Sequence, residues 1–347
     1  MKVLLTGAAG FIAGHVREVL EAAGHRVVGV DALLPQAHGA SAAVPDRVVR
    51  GDVRDPADLE PLLEGVDVVC HQAAMVGNGV DAQDLPYYAG HNDLGTAVLL
   101  AAMARHSIRR LVLASSMVVY GDGRYTCAAD GDVPPAPRRE GDLQRGDYDP
   151  RCPLCAGPVH WHLIGESTPF APRTSYAASK VAQEHYADAW CTLESARVVA
   201  LRYHNVYGPG MPADTPYSGV AAIFRSMLAR GEPPRVFEDG EQVRDFVHVG
   251  DVARANLAAI EAVADHPQGL SAYNVCSGHH YTVGDMARRL ATVTGGPQPV
   301  VTGEYRPFDV RHVAASPQAA TDGLGFTASI HPDDGIAELA HARLRGR

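Results

Sequence analysis

The 347-residue chain has no long apolar run: no uncharged stretch approaches the ~18 residues that a membrane-spanning helix needs. It also has no basic excess. With 30 Lys+Arg against 40 Asp+Glu the formal net charge is −10, so the positive face that nucleic-acid binding requires is missing. Six cysteines are too few for a disulfide framework, which sets a reducing, cytoplasmic location as the expectation. No internal repeat is visible. With 46% hydrophobic and 20% charged residues the chain has the makings of a sizeable core. The opening VLLTGAAGFIAG after Lys2 has an export signal's apolar look, but it divides into a strand, a Gly turn and the start of an amphipathic helix.

What is present is an alternation. Val3-Leu4-Leu5, Val27 to Val30, Val48-Val49, Val66 to Cys70 and Leu111 to Ala114 have the short β-branched runs of buried parallel strands. Between the first two, Ile12, Val16, Leu20 and Ala23 share one helical face. A helix from about Tyr176 to Leu193 precedes a further strand, Arg197 to Leu201. The pattern predicts an α/β fold: a Rossmann-type, doubly wound parallel sheet with a smaller, interleaved α/β substrate lobe. The expected division is 1–205 for the dinucleotide domain and 206–347 mainly for the lobe, with about 236–262 returning to the first domain. Residues 122–173 stand apart, rich in Pro and holding three of the six cysteines, too long for an ordinary connection.

The first turn, TGAAGFIAGH, follows a strand and opens a helix. Gly7 and Gly10 with Ala13 let backbone N–H groups and the helix dipole approach a pyrophosphate. Asp31 ends the second strand, where a carboxylate accepts from both ribose hydroxyls and repels a 2′-phosphate; this favours NAD over NADP. Asp52 and Val53, after the third strand, are placed to bracket an adenine. His71-Gln72-Ala73-Ala74 follows the fourth strand with residues small enough for close approach to the dinucleotide; His71 itself has the look of a packed core histidine. At the end of the fifth strand comes Ser115-Ser116-Met117-Val118-Val119-Tyr120-Gly121. Tyr176 and Lys180, at i and i+4, share a helical face. An ammonium beside the phenol is expected to lower its pKa toward neutrality and make it a general base on a sugar hydroxyl, with Ser116 holding the same oxygen.

These motifs, together with Asn92 in HNDLGT, LRYHNVYGPG (201–210), GEQVRDFVHVGDVARA (240–255), YNVCSG (273–278) and EYRPFDVRH (304–312), resemble those of the extended short-chain dehydrogenase/reductase family, specifically its nucleotide-sugar epimerases and dehydratases. The resemblance runs nearly end to end. It implies a catalytic set of Ser116, Tyr176 and Lys180. It implies that NAD meets Gly7, Gly10, Phe11, Ile12, Asp31, Asp52, Val53, Ala73, Ala74, Asn92, Tyr176, Lys180 and His204, the last at a position often Phe in related motifs. It implies that Ser116, Asn205, Arg244 and Arg306 meet the substrate, the arginine forks suiting its diphosphate. It further implies a homodimer through the helix after Asn92 and the helix carrying Tyr176.

Family dehydratases carry an acidic pair after the catalytic hydroxyl. Here Met117-Val118 stands in that stretch, and neither side chain transfers protons. The expectation is therefore a 4-epimerase, acting on a dTDP-6-deoxyhexose such as dTDP-L-rhamnose, or on a UDP-sugar, through a transient 4-keto sugar. The alternatives are a 4,6-dehydratase or 4-ketoreductase, and, in another class, a non-catalytic NAD-sensing scaffold. In the insert, Cys152-Pro-Leu-Cys155 is a knuckle that aims two thiolates at one zinc, and Cys127-x-x-Asp130 is its candidate second half; His160 or His162 could replace the aspartate. A redox pair and a metal-free loop are the competing readings. The inserted CPxC loop, AAMVGNGV (73–80) and HNDLGT are similar to those of the dTDP-L-rhamnose 4-epimerase type.

Overall fold

The computed structural model describes residues 1–38, 44–77, 82–213, 219–307 and 309–345. Parts of two motif stretches, 78–80 at the end of one and 308 within the other, lie outside the described residues. Seven strands form one parallel sheet: β1 (Lys2–Thr6), β2 (Arg26–Asp31), β3 (Val48–Arg50), β4 (Val68–His71), β5 (Arg110–Ser116), β6 (Arg197–Tyr203) and β7 (Gly269–Val275). Their spatial order is β3-β2-β1-β4-β5-β6-β7. The order reverses between β1 and β4, so the carboxyl ends of these two strands open the crevice in which such sheets take ligands.

Both faces of the sheet are buried, which explains why its strands are runs of apolar residues rather than alternations. Val3 and Leu5 point to the face covered by α1 (Phe11–Ala22) and meet Val16, Leu20, Val252 and Ile260. Leu4 points the other way, onto Leu59, Leu63, Leu99, Met103 and Trp190. That second face is covered by α2 (Pro56–Leu63), α3 (Gly95–Arg105) and α4 (Ser175–Glu194). The first face is completed by α5 (Val249–Ala262), which packs along α1 although more than two hundred residues separate them in sequence. The edge strand β7 arrives later still, beyond the 236–262 return expected from sequence.

The smaller lobe has its own core of Phe224, Phe246, Met286, Leu290, Ile336 and Leu339. It is built on a three-stranded sheet in which Asn205–Tyr207 runs parallel to Val243–His248, and His280–Thr282 antiparallel to it. The segment 122–173, unassigned by sequence pattern, folds as a three-stranded antiparallel sheet of Gly131–Val133, Arg124–Cys127 and Val159–His162. Its two ends close on each other. A Cβ on Gly121, whose φ is +59°, would strike the Ala171 carbonyl oxygen at 2.0 Å, and the Ala171 N–H donates to the Val119 carbonyl at 2.9 Å. An insertion whose ends meet leaves the parent sheet undisturbed.

Candidate active site

The Gly turn sits at the carboxyl end of β1. Gly7 has φ +66°, and a Cβ there would lie 2.8 Å from the backbone of Ala73, so only glycine lets the two loops cross this closely. Gly10 caps α1, whose first N–H groups face the crevice. Asp31 ends β2, accepts from the N–H groups of Ala9 (3.0 Å) and Leu33 (2.7 Å), and pairs with His38 at 3.4 Å. Burial works to raise its pKa, but His38 and the two amides outweigh burial and keep the carboxylate ionised. Asp52 is turned onto Arg54, which holds its pKa down, while Val53 packs against Gly95. The Ala73 N–H donates to Thr6 Oγ1 at 3.1 Å. His71 is buried between Thr6 and Thr96, and burial lowers its pKa to about 3: a core histidine, as its sequence setting implied.

Ser116 is the last residue of β5, and Tyr176 the second residue of α4, a helix capped by Thr174. The Ser116 hydroxyl lies beside the Tyr176 phenol and acts to lower its pKa. Lys180, one turn on, is buried, with Nζ 2.8 Å from the Ala114 carbonyl oxygen and 5.9 Å from the Tyr176 ring centroid. The expected drop of the Tyr176 pKa toward neutrality is not found. Burial raises it to about 12; the Ser116 hydrogen bond pulls it down by less, and Tyr88, its ring 6.1 Å away, raises it further. Burial likewise lowers Lys180 to about 7, opposed by Glu184. The ammonium is spent on a carbonyl rather than on the phenol, and desolvation therefore dominates both groups.

Beneath these residues lies a polar network that sequence reasoning missed. Ser115 donates to Glu184 at 2.5 Å; Glu184 pairs with Arg202 at 2.7 Å; Arg202 donates to the Tyr120 hydroxyl and the Glu166 carbonyl, both at 2.8 Å. Its only sequence signal was a pair of charges, Glu184 and Arg202, on elements otherwise expected to be buried. Asn92 stands in a π-helical turn, Ala89–Leu94, that runs into α3. Fully buried, it accepts from the Met75 N–H at 2.6 Å and donates to the Met75 carbonyl and to Ser179 Oγ. It thus ties the loop after β4 to the helix of Tyr176. π-turns of this kind recur at functional sites.

His204 and Asn205 follow β6. Both His204 ring nitrogens and Asn205 Oδ1 are buried without a hydrogen-bond partner of good geometry, and burial lowers the His204 pKa to about 4. Unpartnered polar atoms in a crevice mark where a ligand's polar groups belong. Arg244 instead gives its guanidinium to the backbone carbonyls of Val243, Arg311 and Val310 at 2.6–2.8 Å. It therefore braces the segment carrying Arg306, which is exposed and lies over the Phe237 ring at 5.3 Å. In the insert, Cys127, Asp130, Cys152 and Cys155 converge, their ligand atoms all within 4.8 Å of one another; His160 and His162 are not in the cluster.

A Gly turn at a sheet's switch point, an acidic residue ending the next strand, and a Ser–Tyr–Lys set beside it define a dinucleotide-dependent α/β enzyme. The crevice fits NAD: the Gly7–Ala73 crossing leaves backbone for a pyrophosphate, and the orphaned His204 nitrogens await a partner. The chain belongs to the NAD dependent epimerase/dehydratase family, whose sequence profile matches residues 3–142 and 156–276 and breaks inside the insert. It is 34% identical to a dTDP-L-rhamnose 4-epimerase of Burkholderia thailandensis over 97% of this chain and 93% of the relative. The Thermus thermophilus UDP-glucose 4-epimerase, solved in complex with NAD, superposes with a TM-score of 0.76 at 29% identity, covering 98% of each chain. The Thermotoga maritima UDP-glucose 4-epimerase, solved with UDP-glucose, gives 0.78 at 26% identity, covering 98% of this chain and 97% of that one.

Proposed function

We propose that the protein is a nucleotide-sugar 4-epimerase that inverts C4 of a dTDP-6-deoxyhexose such as dTDP-L-rhamnose, with UDP-sugars as the rival substrates. The observation that carries the reading is the Tyr176 phenol set beside Ser116 where the neighbouring Met117-Val118 offers no acid or base. Support for the sugar comes from the 34% identical relative.

Bound NAD would supply the acceptor and donor of hydrogen at the sugar carbon. It would be held by the Gly7–Gly10 turn, Asp31, Val53, Ala73 and His204. Tyr176 Oη takes the proton of the C4 hydroxyl and returns it when the carbonyl is reduced; Ser116 Oγ holds the same oxygen in both directions. Lys180, held on the Ala114 carbonyl 5.9 Å from the Tyr176 ring centroid, stabilises the phenolate through space when charged, and Asn92 holds its helix in place. Burial of Tyr176 and Tyr88 excludes water, which keeps the keto sugar from hydration and loss. Asn205 and Arg306 face the sugar nucleotide, and Arg244 positions the segment that bears Arg306. Glu184, two turns along the helix from Tyr176, is spent on Ser115 and Arg202 and so is not available to expel water.

The test is incubation with a panel of dTDP- and UDP-sugars and product analysis by NMR. Interconverted C4 epimers without net NADH are expected. A stable 4-keto product would overturn the reading in favour of a dehydratase; turnover of UDP-sugars alone would move the substrate but keep the reaction.

A further inference from the structure

We propose that Cys127, Asp130, Cys152 and Cys155 are the four ligands of a single structural metal ion, zinc by their chemistry, and that this ion is the core on which the insert folds. Cys127 Sγ lies 3.5 Å from Cys155 Sγ and 3.4 Å from Asp130 Oδ2, and Cys152 Sγ lies 3.2 Å from Asp130 Oδ2. A tetrahedral ion with bonds of ~2.0–2.3 Å spaces its ligands at ~3.5–3.8 Å, so the four atoms already stand close to the corners such an ion needs.

The backbone presents them as two knuckles. Cys127 and Gly131 pair across a hairpin, with Asp130 in its turn. Around the other, the Cys152 N–H donates to the Gly157 carbonyl at 2.9 Å, and the Leu154 N–H points at Cys152 Sγ at 3.4 Å. Such amide contacts favour a thiolate. Three soft thiolates and one carboxylate in a closed tetrahedron select zinc over hard cations. A disulfide joining Cys127 and Cys155 would leave Cys152 and Asp130 with no role.

The insert gives an independent reason. Its own apolar cluster is Cys127, Val133 and Cys152, with Val159 against it. Two of its three buried members are the cysteines, far too little burial to hold some fifty residues in one shape without a staple. The family profile skips 143–155, the stretch that holds Cys152 and Cys155, so that knuckle lies outside the shared pattern.

The staple reaches the substrate side. Trp161, on the strand beside Cys127, stacks on His312 with centroids 6.0 Å apart; Tyr125 Oη accepts from the His312 N–H at 3.3 Å; Asp149 pairs with Arg311 at 2.8 Å. His312 and Arg311 belong to the segment braced by Arg244. Loss of the metal is therefore expected to raise KM for the sugar nucleotide while leaving kcat; this second consequence rests on the epimerase reading, whereas metal content does not.

The experiment is elemental analysis of full-length protein purified without added metal and again after incubation with zinc and desalting, followed by cobalt substitution. One zinc per chain, and thiolate-to-cobalt charge transfer with intense tetrahedral d–d bands, are expected. Cys155→Ser and Asp130→Ala should lose the metal to a chelator that leaves wild type loaded; Asp130→His should retain it. No bound metal after zinc incubation, an intact mass showing a disulfide, or a Cys152→Ser/Cys155→Ser variant that keeps its metal would overturn the proposal. The wild-type readings stand even where a variant fails to fold.

Discussion

Tyr176 and Lys180 carry opposite costs of the same burial, and each makes a prediction. Replacing Tyr176 by Phe removes the phenol beside Ser116 and keeps the ring's packing. Turnover is expected to fall by about 10²–10⁴-fold with unchanged thermal stability, measured on the same preparation. Lys180 is protonated in the unfolded chain up to its ordinary 10.5 but in the unliganded fold only to about 7. Between those values the unfolded state binds the extra proton, so this group's contribution favours folding more as pH rises from about 7 toward 10.5, and its cost is fully present below 7. Lys180→Met abolishes turnover yet stabilises the unliganded protein by about 1–4 kcal/mol at neutral pH and below. The advantage over wild type should shrink on going to pH 10; thermal melts of the two proteins across pH measure it. The positions of both residues were legible in sequence, because a helix puts i and i+4 on one face. The direction of the Tyr176 shift was not, because desolvation by the surrounding core depends on contacts that no spacing reveals.

At the scale of elements, the strand–helix alternation, the Gly turn and α4 could be read from local pattern, since each is set by periodicity and turn chemistry within a dozen residues. The roles of Asn92, Arg244 and the Glu184–Arg202 pair could not. Their partners, Met75 with Ser179, the carbonyls of 310 and 311, and one another, come together only in three dimensions. The insert is the other case: its strands are three or four residues long, and the alternation in Arg124–Cys127 and Val159–His162 is too short to stand out. Two predictions belong here. Glu184→Ala leaves Arg202 charged and buried and should cost about 3–5 kcal/mol, read by denaturant unfolding. Gly7→Ala places a methyl against the Ala73 backbone at a left-handed φ; NAD affinity by calorimetry should collapse while the sheet, seen by circular dichroism, persists.

For the whole molecule, the exposed Leu94, Tyr186 and Leu193 lie on the turn leading into α3 and on α4. These are the helices through which a homodimer is proposed, because surface apolar residues clustered on neighbouring helices favour association. Sedimentation should give a dimer, and Tyr186→Glu a monomer; a monomeric wild type would end that proposal. A return of the chain to the first layer was expected over about 236–262, which holds α5; the edge strand β7 beyond it was not, a matter of topology rather than pattern.

That interleaving has a consequence during synthesis. The apolar surface of β4, β5 and β6 that α5 covers stays wet until residue 262 has left the ribosome, and the outer edge of β6 stays unpaired until residue 275 follows. Chains emerge N-terminus first, so a nascent copy with its first six strands already paired should spend several seconds displaying a greasy flank, and chaperone capture during translation should concentrate on that window.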